Sequence, residues 1–401
     1  MPGVPHFGVN STTNLFETVA DRWRTSNTST LALECAGSDN AIGQRRQSLT
    51  NEREEVDRRR FLQSLAVLTS GAIMPHAARA QSRPLIYADM HSHIGLLGGD
   101  RNVREAMVAN GMLVVSRKIV ADGPVIRRIP GKGIQQIREP AAGELASRFD
   151  ATLERMKGEH RVGNLIEIVD LASLKRVMGG NEPGIVLASE GADFLEGDIK
   201  RLETARAQGL AHLQLVHYRV SEIGDISTER PQHDGLTALG KQVVAACNRL
   251  GILVDVAHCT PDGVAQALEI GTKPMVYSHG HVISTTPHWT QGGVRARAIS
   301  AQHARSIAGK GGVIGLWPLG LQFRSLSSYA SALLDLAETV GVAHVGVGTD
   351  LFGLGGSTVI PGYEQFPELE ELLTKRGLKT DQVRGILGRN YLRVLEEALS
   401  V

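Results

Sequence analysis

The stretch Ile252-Leu-Val-Asp-Val-Ala-His258 decides the fold, because it is a short aliphatic run that ends on a histidine. A continuous apolar run of this length is typical of a strand buried on both faces of a parallel sheet. The same pattern recurs along the chain and predicts eight strands, at Leu85–Ala88, Leu113–Ile119, Ile185–Ala188, Leu210–Val216, Ile252–Ala257, Met275–Ser278, Val313–Leu316 and Val345–Gly348. The chain is therefore predicted to be an α/β protein.

Segments with helical periodicity separate these strands. They include Ala141–Lys157, Ile199–Ala207, Thr237–Leu250, Asp262–Ile270, Ala301–Ala308 and Tyr329–Val340. Eight strand–helix repeats in about 320 residues predict a single-domain (β/α)8 TIM barrel over residues 81–401, with a doubly wound open sheet as the alternative. Apolar residues at helical spacing predict a C-terminal closing helix at Asp381–Leu399.

Side chains that can bind a metal follow six of the predicted strands. The first strand ends in His91 and His93, which point the same way because alternate residues of a strand share a face. Any one such histidine on its own is more often a hydrogen-bonded core or rim residue. Barrel enzymes place their sites at strand ends, and imidazoles with a carboxylate are ligands that suit Zn²⁺. A zinc site is therefore predicted at His91, His93, Glu190, His217, His258, His279 and Asp350.

Several stretches around these residues form a more specific signature. They are Ala188-Ser-Glu-Gly-Ala192, Gly235-Leu-Thr-Ala-Leu-Gly240, Val254-Asp-Val-Ala-His258, Tyr277-Ser-His279, Gly346-Val-Gly-Thr-Asp350 and Gly388-Arg-Asn-Tyr-Leu-Arg-Val394. Glu190 and His217 are 27 residues apart, and His258 and His279 are 21 apart. From about Pro84 to the C-terminal helix, the chain resembles the membrane (renal) dipeptidase family of metal-dependent amidohydrolases.

The resemblance implies a ligand set for two zinc ions. Glu190 would bridge the two ions. His91 and His93 would hold one of them, and His258 and His279 would hold the other. The implied cofactor is therefore Zn²⁺, two ions per chain.

The resemblance also implies how a dipeptide would be cleaved at its amide bond. His217 would stabilise the oxyanion, and Asp350 would contact the attacking water and pass its proton to the leaving amine. Arg297 would bind the substrate's terminal carboxylate, which suits the bidentate geometry of arginine. The implied partner is thus a dipeptide-like small molecule, and the family also implies that a homodimer is possible.

Two features depart from the family pattern. The family usually has His-x-Asp on the first strand, whereas this chain has His91-x-His93 and so lacks one negative charge. The segment between His279 and Arg297 is longer than the family's, which makes Arg295 a rival for binding the carboxylate. Two alternatives therefore stay open: an amidohydrolase-type enzyme that acts on a lactone, an ester or a cyclic amide, and a non-catalytic metal-binding barrel.

The first eighty residues have the composition of a leader. Residues 1–57 are polar and lack apolar periodicity, which is typical of a disordered segment or of an extension mis-assigned at the start codon. Arg58-Arg-Arg-Phe-Leu62, a short apolar run and Ala78-Arg-Ala80 resemble a twin-arginine signal peptide over residues 58–80, with an amphipathic helix as the alternative. We therefore expect export by the twin-arginine machinery, to a bacterial periplasm.

Composition excludes other function classes. The formal net charge is +1, and no basic stretch is interleaved with aromatic residues, so nucleic-acid binding is not expected. Cys35, Cys247 and Cys259 are too few and too scattered for a disulfide framework. We expect Cys247 and Cys259 to be buried free thiols, with a disulfide between them as the alternative.

Overall fold

A parallel barrel forms the centre of the molecule. The computed structural model describes residues 84, 86–97, 102–283, 294–353 and 357–401, which belong to one compact unit. Its strands are β1 (Tyr87–Ser92), β2 (Met112–Val120), β3 (Ile126–Ile129), β4 (Gly133–Gln136), β5 (Ile166–Glu167), β6 (Gly184–Glu190), β7 (His212–Gln214), β8 (Leu253–Asp255), β9 (Val276–Ile283), β10 (Ala298–Ser300), β11 (Val313–Leu316) and β12 (Val345–Val347). The barrel order is β1-β2-β6-β7-β8-β9-β11-β12, while β3 and β4 form a separate antiparallel hairpin.

Helices surround the barrel. They are α1 (Val103–Ala109), α2 (Glu144–Val162), α3 (Leu171–Gly179), α4 (Lys200–Ala207), α5 (Ala238–Leu250), α6 (Pro261–Ile270), α7 (Ala301–Gly309), α8 (Leu326–Val340), α9 (Phe366–Lys375), α10 (Thr380–Arg384) and α11 (Asn390–Leu399). Several begin at a hydroxyl side chain: Thr237, Thr260 and Ser300 each accept a hydrogen bond from a backbone N–H of the first turn of their helix. Such caps satisfy amide groups that the helix itself leaves unpaired.

The barrel closes between its last and first strands. The Asp350 N–H donates to the His91 carbonyl oxygen at 2.9 Å, and the His93 N–H donates to the Leu351 carbonyl oxygen at 2.9 Å. These bonds join the residues that follow β12 to the end of β1. The (β/α)8 prediction is therefore confirmed, and the open-sheet alternative is wrong.

The predicted strands are all present, with shifted ends. β11 has the predicted bounds, whereas β1 begins at Tyr87 and continues to Ser92. His91 therefore lies inside the first strand, and His93 follows it directly. The β3–β4 hairpin was not predicted, because its strands are only four residues long, with two exposed arginines in β3 and two glutamines in β4.

The prediction of one continuous closing helix at Asp381–Leu399 is wrong in detail. A five-residue π turn, Gly385–Arg389, separates α10 from α11, and the backbone leaves helical geometry at Gly388. A Cβ at Gly388 would lie 2.9 Å from the Ile86 carbonyl oxygen and from the Ala88 nitrogen. The break allows the chain to contact the backbone of β1 closely, and the segment still packs across the barrel.

The predictions for the cysteines and for the N-terminal segments have different outcomes. Cys247 and Cys259 are buried free thiols, as expected. Among the described residues, no helix is long and apolar enough to cross a membrane. The predicted segments 1–57 and 58–80 lie outside the described residues, so disorder and the signal peptide stay predictions.

Candidate metal centre

The structure brings all seven predicted strand-end residues to one rim of the barrel. They lie in or directly after six of the barrel strands, and each is buried, with Asp350 the most exposed at 7%. They are His91 in β1, His93 directly after it, Glu190 at the end of β6, His217 after β7, His258 after β8, His279 in β9 and Asp350 after β12. The predicted cluster therefore exists as a single buried site.

Three of these residues have the spacing of a tetrahedral metal site. The Nε2 atoms of His91 and His93 are 3.2 Å apart, and they lie 3.3 and 3.2 Å from the two carboxylate oxygens of Glu190. Ligand atoms about 2.0–2.2 Å from a tetrahedral Zn²⁺ are themselves about 3.3–3.6 Å apart. Asp350 Oδ1, at 3.2 Å from His93 Nε2, lies beside the same position. The donor set therefore fits a metal ion.

Hydrogen bonds on the side away from the centre fix the orientation of four histidine rings. Each ring uses Nδ1 for a hydrogen bond outside the centre, which aims Nε2 inward. The partners are the Lys118 carbonyl oxygen for His93 (2.9 Å), the His217 carbonyl oxygen for His258 (3.0 Å), and Ser278 Oγ for both His91 and His279 (3.1 Å each). Such contacts fix ring orientation in metal sites and are part of the site's design.

A second set of ligands surrounds the other side of Glu190. The Nε2 atom of His258 is 3.4 Å from Glu190 Oε1 and 3.3 Å from Nε2 of His279, which itself lies 3.6 Å from Glu190 Oε1. His217 Nε2 is 3.3 Å from Glu190 Oε2. The His279 nitrogen, however, also accepts a hydrogen bond of 2.8 Å from Arg297 Nη2. The two candidate positions are therefore not equivalent.

Burial sets the protonation of most of these rings. It lowers the pKa of His91, and holds the pKa values of His258 and His279 well below the usual range. Neutral imidazole is the form that binds a metal. Burial alone would lower the pKa of His93 too, but the carboxylates of Asp350 and Glu190 outweigh it and raise that pKa to about 10. His93 therefore carries a proton that a cation would replace.

His217 lies between two carboxylates, which favour its protonated form. Its Nδ1 lies 2.7 Å from Asp122 Oδ1, and its Nε2 faces Glu190. Burial works against a charge here, but Asp122 and Glu190 outweigh it and raise the pKa of His217. The Tyr218 N–H donates to the other Asp122 oxygen at 2.9 Å, which fixes the carboxylate. The Nε2–H of His217 is thus available to a negative charge in the cavity.

Backbone strain concentrates at the site. His258 and Asp350 have φ angles of 69° and 50°, in the left-handed region that residues with a side chain rarely adopt. Residues held in this region persist only where the surrounding structure enforces it, and they cluster at functional sites. A Cβ at Gly353 would overlap Asp350 Oδ1 and lie 2.5 Å from His93 Cδ2. Gly353 therefore leaves room for two site residues.

A buried ion pair supports the floor of the centre. Lys118 Nζ donates to Asp255 Oδ2 at 2.7 Å and lies 3.1 Å from His212 Nε2. The other oxygen of Asp255 accepts hydrogen bonds of 3.0 Å from the N–H groups of Ala257 and Ser278. These two residues immediately precede His258 and His279, so the carboxylate ties two ligand-bearing segments together.

Comparison with known proteins identifies the family. The model of the membrane dipeptidase family, peptidase family M19, matches residues 139–401. The chain belongs to the membrane dipeptidase family. It is 27% identical to the dipeptidase aclJ of Aspergillus oryzae over 52% of this chain and 50% of aclJ, and 24% identical to the dipeptidase tcpJ of Claviceps purpurea over 62% and 56%. The chain thus spans about half the length of these fungal relatives.

Several solved structures share the fold. A dipeptidase AC of family M19 has a TM-score of 0.67 and 20% identity, covering 79% of this chain and 99% of that one. An amidohydrolase from Pseudomonas aeruginosa has a TM-score of 0.65 and 21% identity, covering 80% and 98%. A Rhodobacter sphaeroides metallopeptidase with a bound phosphinate mimic of L-Ala-D-Ala has a TM-score of 0.64 and 20% identity, covering 79% and 99%. This likeness confirms the barrel.

A cavity of about 270 Å³ opens above the metal-binding side chains. The β3–β4 hairpin contributes Arg128, Lys132 and Ile134 to its lining, and Leu319 and Leu321 also line it. Pockets for small molecules combine apolar walls with a few placed polar groups, and this cavity has that character at the small end of the range. In this M19 protein the cavity therefore has room for a small molecule.

Arg297 lies at the bottom of this cavity, and only 3% of it is exposed. Its Nη1 donates to the Tyr218 hydroxyl oxygen at 3.1 Å, and its Cζ lies 4.9 Å from the centre of the Trp317 ring. The side chain of its rival, Arg295, is not among the described parts of the chain. Carboxylate binding by either arginine stays a prediction, as do the roles that the family resemblance implies for the other site residues.

Sequence reasoning missed two site residues. Asp122 follows the second predicted strand and Trp317 follows the seventh, so the rule that picked out the other strand ends applies to both. A lone aspartate after a strand is typical of a surface turn, so the sequence alone gives Asp122 no special signal. Only its contact with His217 identifies its role.

Proposed function

We propose that this M19 protein is a zinc-dependent dipeptidase that cleaves the amide bond of a dipeptide-like small molecule. The observation that carries the proposal is the tetrahedral spacing of His91, His93 and Glu190, with Asp350 beside them, at the bottom of a cavity with basic groups. The names of the fungal relatives and of the solved M19 structures support it. The zinc ion itself is inferred from the imidazole and carboxylate ligands.

The protein groups around the metal position divide the chemistry among them. A bound zinc ion would supply Lewis acidity, polarising the scissile carbonyl and lowering the pKa of a water molecule. Asp350, next to that position, accepts the proton of the attacking water and passes it to the leaving amine. His217 donates its Nε2–H to the developing oxyanion, an interaction typically worth a few kcal/mol. Asp122 keeps this proton on His217.

Substrate binding uses the charges that line the cavity. Arg297 at the bottom, and Arg128 and Lys132 on the hairpin, are the basic groups that can meet a substrate carboxylate. Glu229 lines the same cavity and offers a carboxylate to a substrate ammonium group. A dipeptide carries both charges, so the cavity has a complement for each end.

The test is hydrolysis by the zinc-reconstituted full chain over a panel of Gly-Xaa dipeptides, Xaa–D-amino-acid dipeptides, lactones and esters. We expect dipeptide turnover that chelator abolishes and Zn²⁺ restores. The matched variant is Asp350→Asn, which keeps the shape of the side chain and should retain zinc with turnover reduced by about 100-fold or more. Turnover of lactones or esters without dipeptides would favour the alternative enzyme class that His93 leaves open. Zinc binding with no turnover of any panel member would favour a non-catalytic barrel.

We also propose export through the twin-arginine route, which rests on the sequence of residues 58–80 alone. N-terminal sequencing of the protein recovered from a periplasmic extract tests it. A mature chain that begins near residue 81 is expected, and a chain that retains residues 58–80 would contradict the proposal.

A further inference from the structure

A positively charged side chain of the protein, Arg297, lies in the second half of the metal centre. The Arg297 guanidinium is buried beside His279, with Nη2 at 2.8 Å from the ring Nε2. The family resemblance places a second metal ion at this nitrogen, between His258, His279 and Glu190. In the structure this nitrogen instead accepts a hydrogen bond from Arg297.

The hydrogen bond and a metal bond exclude each other at His279. Its Nε2 has one lone pair, which either accepts an N–H or binds a metal ion. The Nδ1 atom lies 3.1 Å from Ser278 Oγ and points away from the centre, so it offers no substitute. As long as Arg297 keeps this contact, His279 is not a metal ligand.

Three further contacts hold Arg297 in this place. Nη1 donates to the Tyr218 hydroxyl oxygen, the guanidinium lies over the Trp317 ring, and the backbone carbonyl oxygen of Arg297 accepts a hydrogen bond of 3.1 Å from Tyr277. A cation–π contact stabilises a desolvated guanidinium. The side chain is thus fixed at both its ends, unlike a surface arginine that can swing aside.

The charge balance favours one metal ion. The carboxylates next to the two positions are Glu190 and Asp350, because His93 stands where the family usually has an aspartate. Two dications together with Arg297 would place five positive charges against the negative charges of Glu190 and Asp350. One dication with Arg297 places three against two. Uncompensated buried charge is strongly destabilising.

We propose that the Arg297 guanidinium stands in for the second cation by holding the His279 lone pair, so that each chain binds one metal ion, at His91, His93 and Glu190. The inference deepens the proposed hydrolase and rests on it. Arg297 then faces the substrate's carbonyl oxygen, where its buried Nε has no partner among the described residues. The terminal carboxylate is left to Arg128 and Lys132 at the mouth of the cavity.

The test is metal stoichiometry of the full chain, stripped with chelator, reloaded with excess Zn²⁺, desalted and analysed by mass spectrometry of the metal. We expect one ion per wild-type chain and two per chain in Arg297→Met, which removes the charge and frees the His279 lone pair. Arg128→Met is the matched control, because it removes a positive charge from the same cavity without touching His279, and it should stay at one ion. Two ions in the wild type, or one in Arg297→Met, would overturn the proposal.

A second measurement, on the wild-type chain, tests the proposal even if Arg297→Met fails to fold. Electron paramagnetic resonance of the wild-type chain loaded with Mn²⁺ separates the cases, because a single ion gives an isolated spectrum and a carboxylate-bridged pair gives an exchange-coupled one. An isolated spectrum is expected, and a coupled one would overturn the proposal. Dipeptide turnover with two ions would refute this inference but leave the proposed function, whereas a chain that binds no metal would refute both.

Discussion

Lys118→Met is the substitution that most directly tests how the barrel supports its metal centre. Lys118 and Asp255 are both fully buried, and their charged atoms are 2.7 Å apart. Burial alone would raise the pKa of Asp255, but Lys118 and His212 hold it well below the usual range, so the carboxylate is charged. Methionine keeps most of the lysine's length and removes its charge. The variant therefore leaves Asp255 buried without its cation.

The expected loss is large because the desolvation of the carboxylate remains while its partner is gone. Breaking one side of a buried pair lowers the free energy of unfolding by about 3–5 kcal/mol. Whole proteins are typically stable by only about 5–15 kcal/mol. Asp255→Asn should lose a similar amount by leaving the lysine unpaired. The double variant should lose about 1–3 kcal/mol less than the sum of the single losses, because the pair is removed together.

Urea unfolding, followed by circular dichroism with the chelated protein at pH 7.5, measures these losses. The control is Lys375→Met, which breaks an exposed helical pair with Glu371 and should change stability by less than about 0.5 kcal/mol. A loss below about 1 kcal/mol in Lys118→Met, or additive single losses, would refute the role of the buried pair.

The same pair gives a pH dependence with a definite sign. The pKa of Asp255 is lower in the folded chain than its unfolded value of about 3.9. A depressed pKa stabilises the fold above the unfolded pKa, and this contribution is lost as the pH falls through the folded pKa. The stability advantage of wild type over Asp255→Asn should therefore be full at pH 6 and shrink below about pH 4.

Three further predictions concern the site itself. His93→Asp should retain zinc and keep or raise dipeptide turnover, since it restores the usual family ligand; loss of zinc would show that the site depends on imidazole. Gly353→Ala should lower kcat by about 100-fold with little change in stability, because the new Cβ displaces Asp350. An unchanged kcat would mean that Asp350 takes no part in the reaction. Asp122→Asn should lower kcat by about 100-fold. It should also move the alkaline limb of the pH–rate profile to lower pH, because the proton on His217 is held less tightly. An unmoved limb would mean that His217 acts in its neutral form.

The parts of the fold that could be predicted are those that depend on the hydrophobic pattern of a short stretch of sequence. Runs such as Val313–Leu316 are buried on both faces, so every residue is apolar and the strand is visible without knowledge of its neighbours. The metal-binding residues follow from the same pattern, because the end of such a run is also a place on the barrel rim. His258 and His279 were found in this way.

The remaining features depend on contacts between distant segments. The break at Gly388 exists because the backbone of β1 lies against it, and a helical pattern gives no sign of this. The hydrogen bond from Arg297 to His279 joins residues that are 18 positions apart in the sequence, and no local pattern specifies it. Asp122 has a role only once it is known to face His217.

The β3–β4 hairpin lies over the site but takes no part in closing the barrel. The Ile137 N–H donates to the Val125 carbonyl oxygen at 2.8 Å, which pins the two ends of the hairpin side by side. Everything between them, including Arg128 and Lys132, can change in length and composition without moving a metal ligand. The hairpin is therefore a suitable site for grafting other loops. Such a graft could change substrate selectivity and leave the catalytic residues in place.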